Sequence, residues 1–171
     1  MDILEIIKNR RSVRAFQKKE IPEEVVEKLI KALIWAPSAG NLQSRKFYFI
    51  FDQKIKDALV KNALRQDFIS QAPLVIVACA DEKIASRYGE RGKNLLSICD
   101  VSASIQNLML LAYSEGLGTC WVGAFDEKDV SKVLNLAENL RPIVICPVGY
   151  PSEKPRTTSR VLKEEAIKFL K

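Results

Sequence analysis

A short segment near the amino end carries side chains that could bind an anion. Within residues 10–14, Arg10, Arg11 and Arg14 flank the hydroxyl group of Ser12. Guanidinium groups pair with phosphate oxygens through two parallel hydrogen bonds, so this segment suits a phosphate-sized anion. Arg160, near the carboxyl end, could join such a site if the fold brings the two ends together. The alternative is an ordinary solvated basic turn, because short motifs of this kind also occur by chance.

Residues 37–43, Pro-Ser-Ala-Gly-Asn-Leu-Gln, form a second candidate segment. The small residues would let the backbone approach a ligand closely, and Ser38, Asn41 and Gln43 offer neutral hydrogen-bonding groups. An ordinary loop that ends a helix explains the same composition equally well.

A third candidate segment, residues 116–125, reads Gly-Leu-Gly-Thr-Cys-Trp-Val-Gly-Ala-Phe. Its glycines bracket a predicted strand, and glycine within a strand indicates a bulge or a surface on which another group lies. A turn followed by a core strand would explain the pattern almost as well. The segment lacks the G-x-G-x-x-G spacing of dinucleotide-binding proteins, and the chain has no phosphate-binding GK[ST] motif.

The absence of histidine from the sequence excludes several kinds of catalytic site. Histidine-based triads, HExxH metal sites and imidazole acid–base catalysis all require a residue that this chain does not have. The four cysteines form no C-x-x-C pair, so neither a zinc ribbon nor a dithiol redox motif is available. Cys79, Cys120 and Cys146 lie in apolar runs and are expected to be buried thiols. An enzyme built this way would depend on an organic cofactor.

Length and composition predict one domain over residues 1–171. With 47% hydrophobic residues the chain can form a core, and no stretch approaches the ~20 uncharged apolar residues of a membrane span. The start of the chain does not resemble a signal peptide, so we expect a cytoplasmic protein without membrane attachment. The formal charge of +6 favours an anionic partner, which could be a phosphorylated ligand, nucleic acid or a membrane surface.

Hydrophobic periodicity predicts alternating helices and strands. A short helix capped by Asp2 should bury Ile3, Leu4, Ile6 and Ile7. The run near residues 97–114, which has no charge after Asp100, should form a helix buried on most sides. Alternation of this kind favours a parallel α/β sheet, although the connections before Phe47 and Thr119 do not look like regular crossovers. The other predicted elements are helices over 22–36, 54–63, from 126 and from 162, and strands over 47–51, 74–80, 119–123 and 143–148.

Taken together, the candidate segments resemble the nitroreductase family of flavoproteins. The resemblance rests on four blocks that follow in the family's order and span nearly the whole chain: residues 10–16, 36–43, 116–123, and 145–151 with Arg160. It implies an α+β fold with a mainly antiparallel central sheet flanked by helices, in place of a parallel sheet. It also implies an intertwined homodimer with FMN at the subunit interface, in which the helix near residues 97–114 forms part of the dimer core.

The resemblance also implies roles for individual residues. Arg11, Ser12 and Arg160 would contact the FMN phosphate, while Arg10 and Arg14 would lie near the ribityl chain and the N1–C2=O2 edge. The remaining expected contacts are Pro37, Ser38, Ala39 and Asn41 from the partner subunit, Gln66 at the pyrimidine edge, and the backbone of Gly123 and Ala124 near N5. No catalytic side chain and no metal ligand are implied.

The activity implied by the resemblance is ping-pong hydride transfer from NADH or NADPH, through FMN, to nitro-aromatic, quinone or similar acceptors. A dehalogenating or flavin-fragmenting relative, or a flavin-binding module without turnover, remain alternatives. Nucleic-acid binding is the least favoured. After Gln43 the chain has Ser44-Arg45 where the family commonly has Pro-Trp, and the loop before Pro73 is short. Both departures bear on the outer wall of the pocket and hence on the substrate range.

Overall fold

In the computed structural model, which describes residues 2–170, the central sheet has four strands. These are β1 (Arg45–Ile50), β2 (Leu74–Asp81), β3 (Gly118–Thr119) and β4 (Leu140–Gly149), in the order β1-β2-β4-β3. All three strand pairings are antiparallel. The prediction of a parallel sheet, made from the alternation of helices and strands, is therefore wrong. The prediction of an antiparallel sheet, implied by the family resemblance, is confirmed.

The direction of the strands follows from where the connections return. Ile50 at the end of β1 pairs with Val75 near the start of β2, so the chain comes back to the end of the sheet that it left. A helical connection can make that return as readily as it can cross to the opposite end. Alternating helices and strands therefore do not determine strand direction.

Strand β2 lies at the centre of the fold because both of its faces are covered. Its residues from Leu74 to Ala80 are fully buried, which explains a continuous apolar run rather than an alternating one. Leu74 and Ile76 face one helical layer, whereas Val75 and Val77 face the other. The predicted strands 74–80 and 143–148 are confirmed and are slightly longer in the structure.

The predicted strand over 119–123 is shorter than expected. Only Gly118 and Thr119 pair regularly with β4, followed by a single bridge between Val122 and Ile145. Pro147 of β4 accepts from the Cys120 amide at 3.4 Å but has no N–H to donate in return. The regular ladder therefore ends at Thr119.

Helices cover both faces of the sheet. α2 and α7 form the first layer around Leu29, Leu33 and Ile105, and α3, α4 and α8 form the second around Leu59 and Ile69. The helices are α1 (Ile3–Asn9), α2 (Glu23–Ile34), α3 (Gln53–Asn62), α4 (Phe68–Gln71), α5 (Glu82–Ala85), α6 (Gly89–Arg91), α7 (Ser97–Ser114), α8 (Glu127–Val133) and α9 (Lys163–Ala166). Shorter helical turns span Ala39–Asn41, Ser86–Tyr88 and Gly92–Leu96.

Helix α7 has the predicted bounds, but its burial within one chain is incomplete. Val101, Ile105 and Leu108 are fully buried, whereas Gln106 is exposed. The side-chain amide of Asn107 donates to the Ala32 carbonyl at 3.4 Å. One face of α7 thus remains uncovered.

Helix α1 is less buried than the sequence predicted. Of the four residues expected to be buried, only Ile6 is; Ile3, Leu4 and Ile7 are 60%, 53% and 48% exposed. The amphipathic pattern predicted the helix correctly, but periodicity does not reveal whether the apolar face is covered by the same chain.

Within residues 2–170, the helical run Glu82–Ser114 is long and apolar enough to pass a test for a membrane span. Core helices of soluble proteins have the same length and composition, so these properties are weak evidence for a membrane span. In this structure 44% of the most apolar window of the helical run is buried. The helical segments over most of residues 82–96 were not predicted from the sequence.

All four cysteines are free. Cys79, Cys120 and Cys146 are buried, as expected, and Cys99 is exposed.

Candidate cofactor-binding site

The arginine segment lies along the edge of the sheet formed by β3. The Val13 amide donates to the Thr119 carbonyl at 2.9 Å, and Ser12 forms a parallel bridge with Thr119. Gly118 permits this contact, because a Cβ at that position would lie 2.6 Å from Cγ2 of Val13. The segment is therefore held in an extended form that leaves Ser12 and Arg14 exposed while Val13 is buried.

The carboxyl-terminal segment returns to the same place. The Gln17 amide donates to the Tyr150 carbonyl at 2.8 Å, and the Ser152 amide donates to the Ala15 carbonyl at 3.0 Å. A bridge between Phe16 and Pro151 strengthens the pairing. These contacts bring residues 153–160 beside residues 10–14.

The two segments together enclose a cavity of about 500 Å³. Such a volume lies within the ~300–1,000 Å³ typical of sites for small ligands. The lining is strongly cationic, with Glu153 as its one carboxylate. The lining residues are Arg10, Arg11, Ser12, Arg14, Glu153, Lys154, Pro155, Arg156, Thr158 and Arg160. We call this cavity the arginine pocket.

Hydrogen-bond donors in the arginine pocket lack acceptors. Nη1 of Arg10 and Nε of Arg11 are buried and have no hydrogen-bond partner within residues 2–170. Burial lowers the pKa of Arg10, and the positive charges of Arg11 and Arg160 lower it further. Among residues 2–170, no carboxylate lies within salt-bridge distance of these three arginines.

Arg11 and Arg160 each use one guanidinium nitrogen in local hydrogen bonds. Nη1 of Arg11 donates to the carbonyls of Lys8 and Arg10 at 2.5 and 2.8 Å, at the end of α1. Nη1 of Arg160 donates to Oγ1 of Thr158 at 2.8 Å. These contacts orient the guanidinium groups but bring no negative charge. A phosphate would accept from the two orphaned donors and neutralise the cluster, so the residues present fit a phosphate-bearing cofactor.

A second group of predicted residues meets near the arginine pocket. Nε2 of Gln66 donates to the carbonyls of Ala63 and Ala124 at 3.0 and 3.3 Å. The guanidinium of Arg14 lies 5.9 Å from the ring centroid of Phe68. The structure thus brings Gln66 to Ala124, with the amide nitrogen of Gln66 engaged by backbone.

Gly123 precedes this group, and a Cβ there would lie 3.4 Å from Nε1 of Trp121. The sulfur of Cys120 lies under the arginine segment: burial raises the pKa of its thiol, whereas Arg14 and a hydrogen bond with Ser12 lower it. Lys154 and Thr158 also line the arginine pocket and were not predicted. The concentration of cations over residues 154–160 was the signal that could have identified them.

The loop over residues 37–43, here called the small-residue loop, does not line the arginine pocket of its own chain. The Ala39 amide donates to Oδ1 of Asp100 on α7 at 2.9 Å, and the Gln43 amide donates to Oγ of Ser38 at 2.9 Å. The predicted site residues therefore form two separate groups. Arg10, Arg11, Ser12, Arg14 and Arg160 converge, whereas Pro37, Ser38, Ala39 and Asn41 lie elsewhere.

Ser44 and Arg45, where the chain departs from the family's common sequence, lie directly after the small-residue loop. Its guanidinium donates to the backbone carbonyls of Ile34, Ala36 and Pro37 at 3.0, 2.6 and 2.9 Å. Ser44 is buried. Arg45 therefore supports the small-residue loop from within the chain.

Comparison with known proteins identifies the family of this chain. The sequence model of the Nitroreductase family matches residues 7–66 and 54–150, which together cover most of the chain. The chain therefore belongs to the nitroreductase family, and it is an oxidoreductase as the members of that family are. The resemblance found in the sequence is confirmed.

Individual relatives cover most of the chain. A protein of Methanothermobacter thermautotrophicus, provisionally named an NADH dehydrogenase/NAD(P)H nitroreductase, is 30% identical over 161 residues, covering 92% of this chain and 81% of its own. The FMN reductase (NADPH) of Bacillus subtilis is 28% identical, covering 95% and 72%. A crystal structure from Parabacteroides distasonis, with the same provisional name as the first protein, superposes with a TM-score of 0.85 at 29% identity, covering 98% and 96%.

Proposed function

We propose that this chain is an FMN-dependent NAD(P)H oxidoreductase that reduces nitro-aromatic, quinone or similar acceptors. One observation carries the proposal: the arginine pocket holds two buried guanidinium donors without acceptors among several uncompensated positive charges. An uncompensated cluster of this kind is stabilised by a bound anion. Family membership and relatives named FMN reductase and NAD(P)H nitroreductase support FMN as that anion.

The residues of the arginine pocket would bind and orient the cofactor. Arg11, Ser12 and Arg160 would hold the phosphate, because their donors surround the cavity that the two chain ends enclose. Arg10 and Arg14 would supply positive charge at the edge of the ring system that gains negative charge on reduction. Backbone at Gly123 and Ala124 would lie against the ring, with Gln66 beside it.

FMN, when bound, accepts hydride from a nicotinamide and passes electrons to an acceptor, so the protein need not supply a redox group. The chain contains no histidine, and no side chain is proposed to titrate during turnover. The proton required by the acceptor would come from solvent. We propose that the protein works in the cytoplasm, where the nicotinamide donor is available and free thiols remain reduced.

A second copy of the chain would complete the site. Trp35 is 84% exposed and lines an apolar groove of about 510 Å³ between α1, α2 and α7, together with Ile3 and Leu110. Exposed apolar surface of this extent is typical of an interaction site. A homodimer that buries the groove would cover the open face of α7 and could bring the small-residue loop to the partner's arginine pocket.

Anaerobic stopped-flow spectroscopy tests the proposal. The holoprotein is mixed with NADH or NADPH, and the visible absorbance of its flavin is followed before and after addition of a quinone. We expect bleaching by at least one donor and recovery on addition of the quinone, with parallel-line steady-state kinetics. If neither donor bleaches the bound flavin, the chain is a flavin-binding module rather than an enzyme.

Nucleic-acid binding is not favoured by the shape of the cationic surface. The cations converge on a concave cavity rather than forming a stripe along the surface. A colourless protein with salt-sensitive affinity for DNA or RNA would reverse this preference.

A further inference from the structure

The small-residue loop has a backbone that needs external support. Gly40, Asn41 and Gln43 have φ angles of +55°, +54° and +54°, in the left-handed region that residues other than glycine rarely adopt. A Cβ at Gly40 would also collide with the hydroxyl of Tyr88. A loop of this conformation persists only where surrounding groups hold it.

Arg45 supplies hydrogen bonds on one side of the loop. Helix α2 ends at Ile34, and carbonyls at a helix end lack partners within the helix. The guanidinium of Arg45 donates to Ile34 and Ala36 at 3.0 and 2.6 Å and to Pro37 at 2.9 Å. One planar side chain thereby joins the end of α2 to the start of the loop, which the single ammonium of a lysine could not do equally well.

Asp100 supplies a contact on the other side. It lies on α7, is only 4% exposed, and accepts from the Ala39 amide through Oδ1 at 2.9 Å. Its other oxygen, Oδ2, is buried without a hydrogen-bond partner among the described residues. The negative charge of Asp100 acts on Arg45: burial lowers the pKa of Arg45, and attraction to Asp100 opposes that effect.

We propose that Arg45 and Asp100 are positioning residues that together hold the small-residue loop in the shape with which it completes the cofactor site of the partner subunit. The inference rests on the proposed function. Neither side chain lines the arginine pocket of its own chain, so both act through the loop and not on the phosphate. Their loss should therefore weaken FMN binding while leaving the anion affinity of the arginine pocket intact.

The first test compares FMN affinity with phosphate affinity. Arg45→Ala removes three hydrogen bonds from a charged group and Asp100→Ala removes one. We therefore expect the FMN dissociation constant to rise about tenfold for Asp100→Ala and at least tenfold for Arg45→Ala. The affinity of the apoprotein for inorganic phosphate should remain unchanged. Lys46→Ala, which removes an exposed charge from the next position of β1, is the matched control. FMN affinity equal to that of the control in both variants would overturn the proposal.

Conservative variants separate positioning from folding. Asp100→Asn keeps an oxygen that can accept from the Ala39 amide, so it should recover part of the FMN affinity that Asp100→Ala loses. Arg45→Lys keeps the charge but not the three-way contact, so its recovery should be smaller. Both changes are small enough to test if an alanine variant does not fold. Full recovery by Arg45→Lys would contradict the role given to the guanidinium.

Subunit complementation tests whether the loop acts on the partner. One chain carries Arg11→Ala with Arg160→Ala, and the other carries Arg45→Ala with Asp100→Ala; each alone should turn over poorly. A mixed dimer contains one site with an intact arginine pocket and an intact partner loop, so activity should return to about half that of the wild type. A mixed dimer without recovered activity, beside an active wild type, would refute the inference alone. A wild type that binds no FMN would refute the proposed function instead.

Discussion

The double variant Arg11→Ala with Arg160→Ala should have opposite effects on the apoprotein and on the holoprotein. In the apoprotein the two guanidinium groups repel Arg10, whose pKa is lowered by burial and by both neighbouring charges. Removing these charges relieves the repulsion, so the melting temperature of the apoprotein should stay the same or rise. In the holoprotein the same groups hold the phosphate, so FMN should bind much more weakly.

The size of the loss follows from the number of contacts removed. A hydrogen bond to a charged group contributes about 1.5–3 kcal/mol, so two arginines would contribute about 3–6 kcal/mol. Arg160 is exposed, and solvent screening places its share at the low end. About 3–4 kcal/mol corresponds to an FMN dissociation constant roughly 140- to 720-fold higher, at about 1.4 kcal/mol for each factor of ten.

Fluorescence titration measures this change, because free FMN is fluorescent and binding alters its emission. Thermal unfolding of the apoprotein and of the FMN-saturated protein measures the predicted effects on the melting temperature. The matched control, Lys18→Gln with Lys61→Gln, removes two exposed positive charges outside the pocket and should change neither. FMN affinity within a few-fold of wild type would refute the assignment of the phosphate to this pocket.

Three further predictions concern other parts of the fold. Gly118→Ala should displace Val13 and weaken FMN binding at least tenfold by equilibrium titration, because the new Cβ would lie 2.6 Å from the valine side chain. Burial raises the pKa of Cys79 and of Cys146 to about 12, so their contribution to the free energy of unfolding, measured with urea, should be constant below pH 9 and lost between pH 9 and 12; the double variant Cys79→Ala with Cys146→Ala should lose less stability over that range. Trp35→Glu should convert the proposed dimer to monomer in analytical ultracentrifugation; a variant that remains dimeric would exclude the groove as the interface.

Much of the fold was predictable from the sequence because local patterns report burial. Residues 74–80 are apolar throughout because helices cover both faces of this strand. Helix α7 has the bounds that were predicted from its long apolar run. Strand direction was not predictable from periodicity, because it depends on where the connection between Ile50 and Val75 returns. The shortened β3 depends on Pro147 of a distant strand, so its own sequence does not reveal it.

The site was predictable in its residue types but not in its assembly. The cluster of Arg10, Arg11 and Arg14 indicated an anion site, yet its closure by residues 153–160 depends on pairing between Gln17 and Tyr150 across the fold. The inward contacts of Arg45 were also not foreseeable. A motif at a single position does not specify whether a long cationic side chain faces solvent or backbone carbonyls.

The visible absorption spectrum of the freshly purified protein tests the central claim most directly. We predict a yellow protein that releases about one FMN per chain on denaturation, with the apoprotein regaining colour when FMN is added. A protein that stays colourless after incubation with FMN and desalting would contradict the account, because the arginine pocket would then have some other occupant.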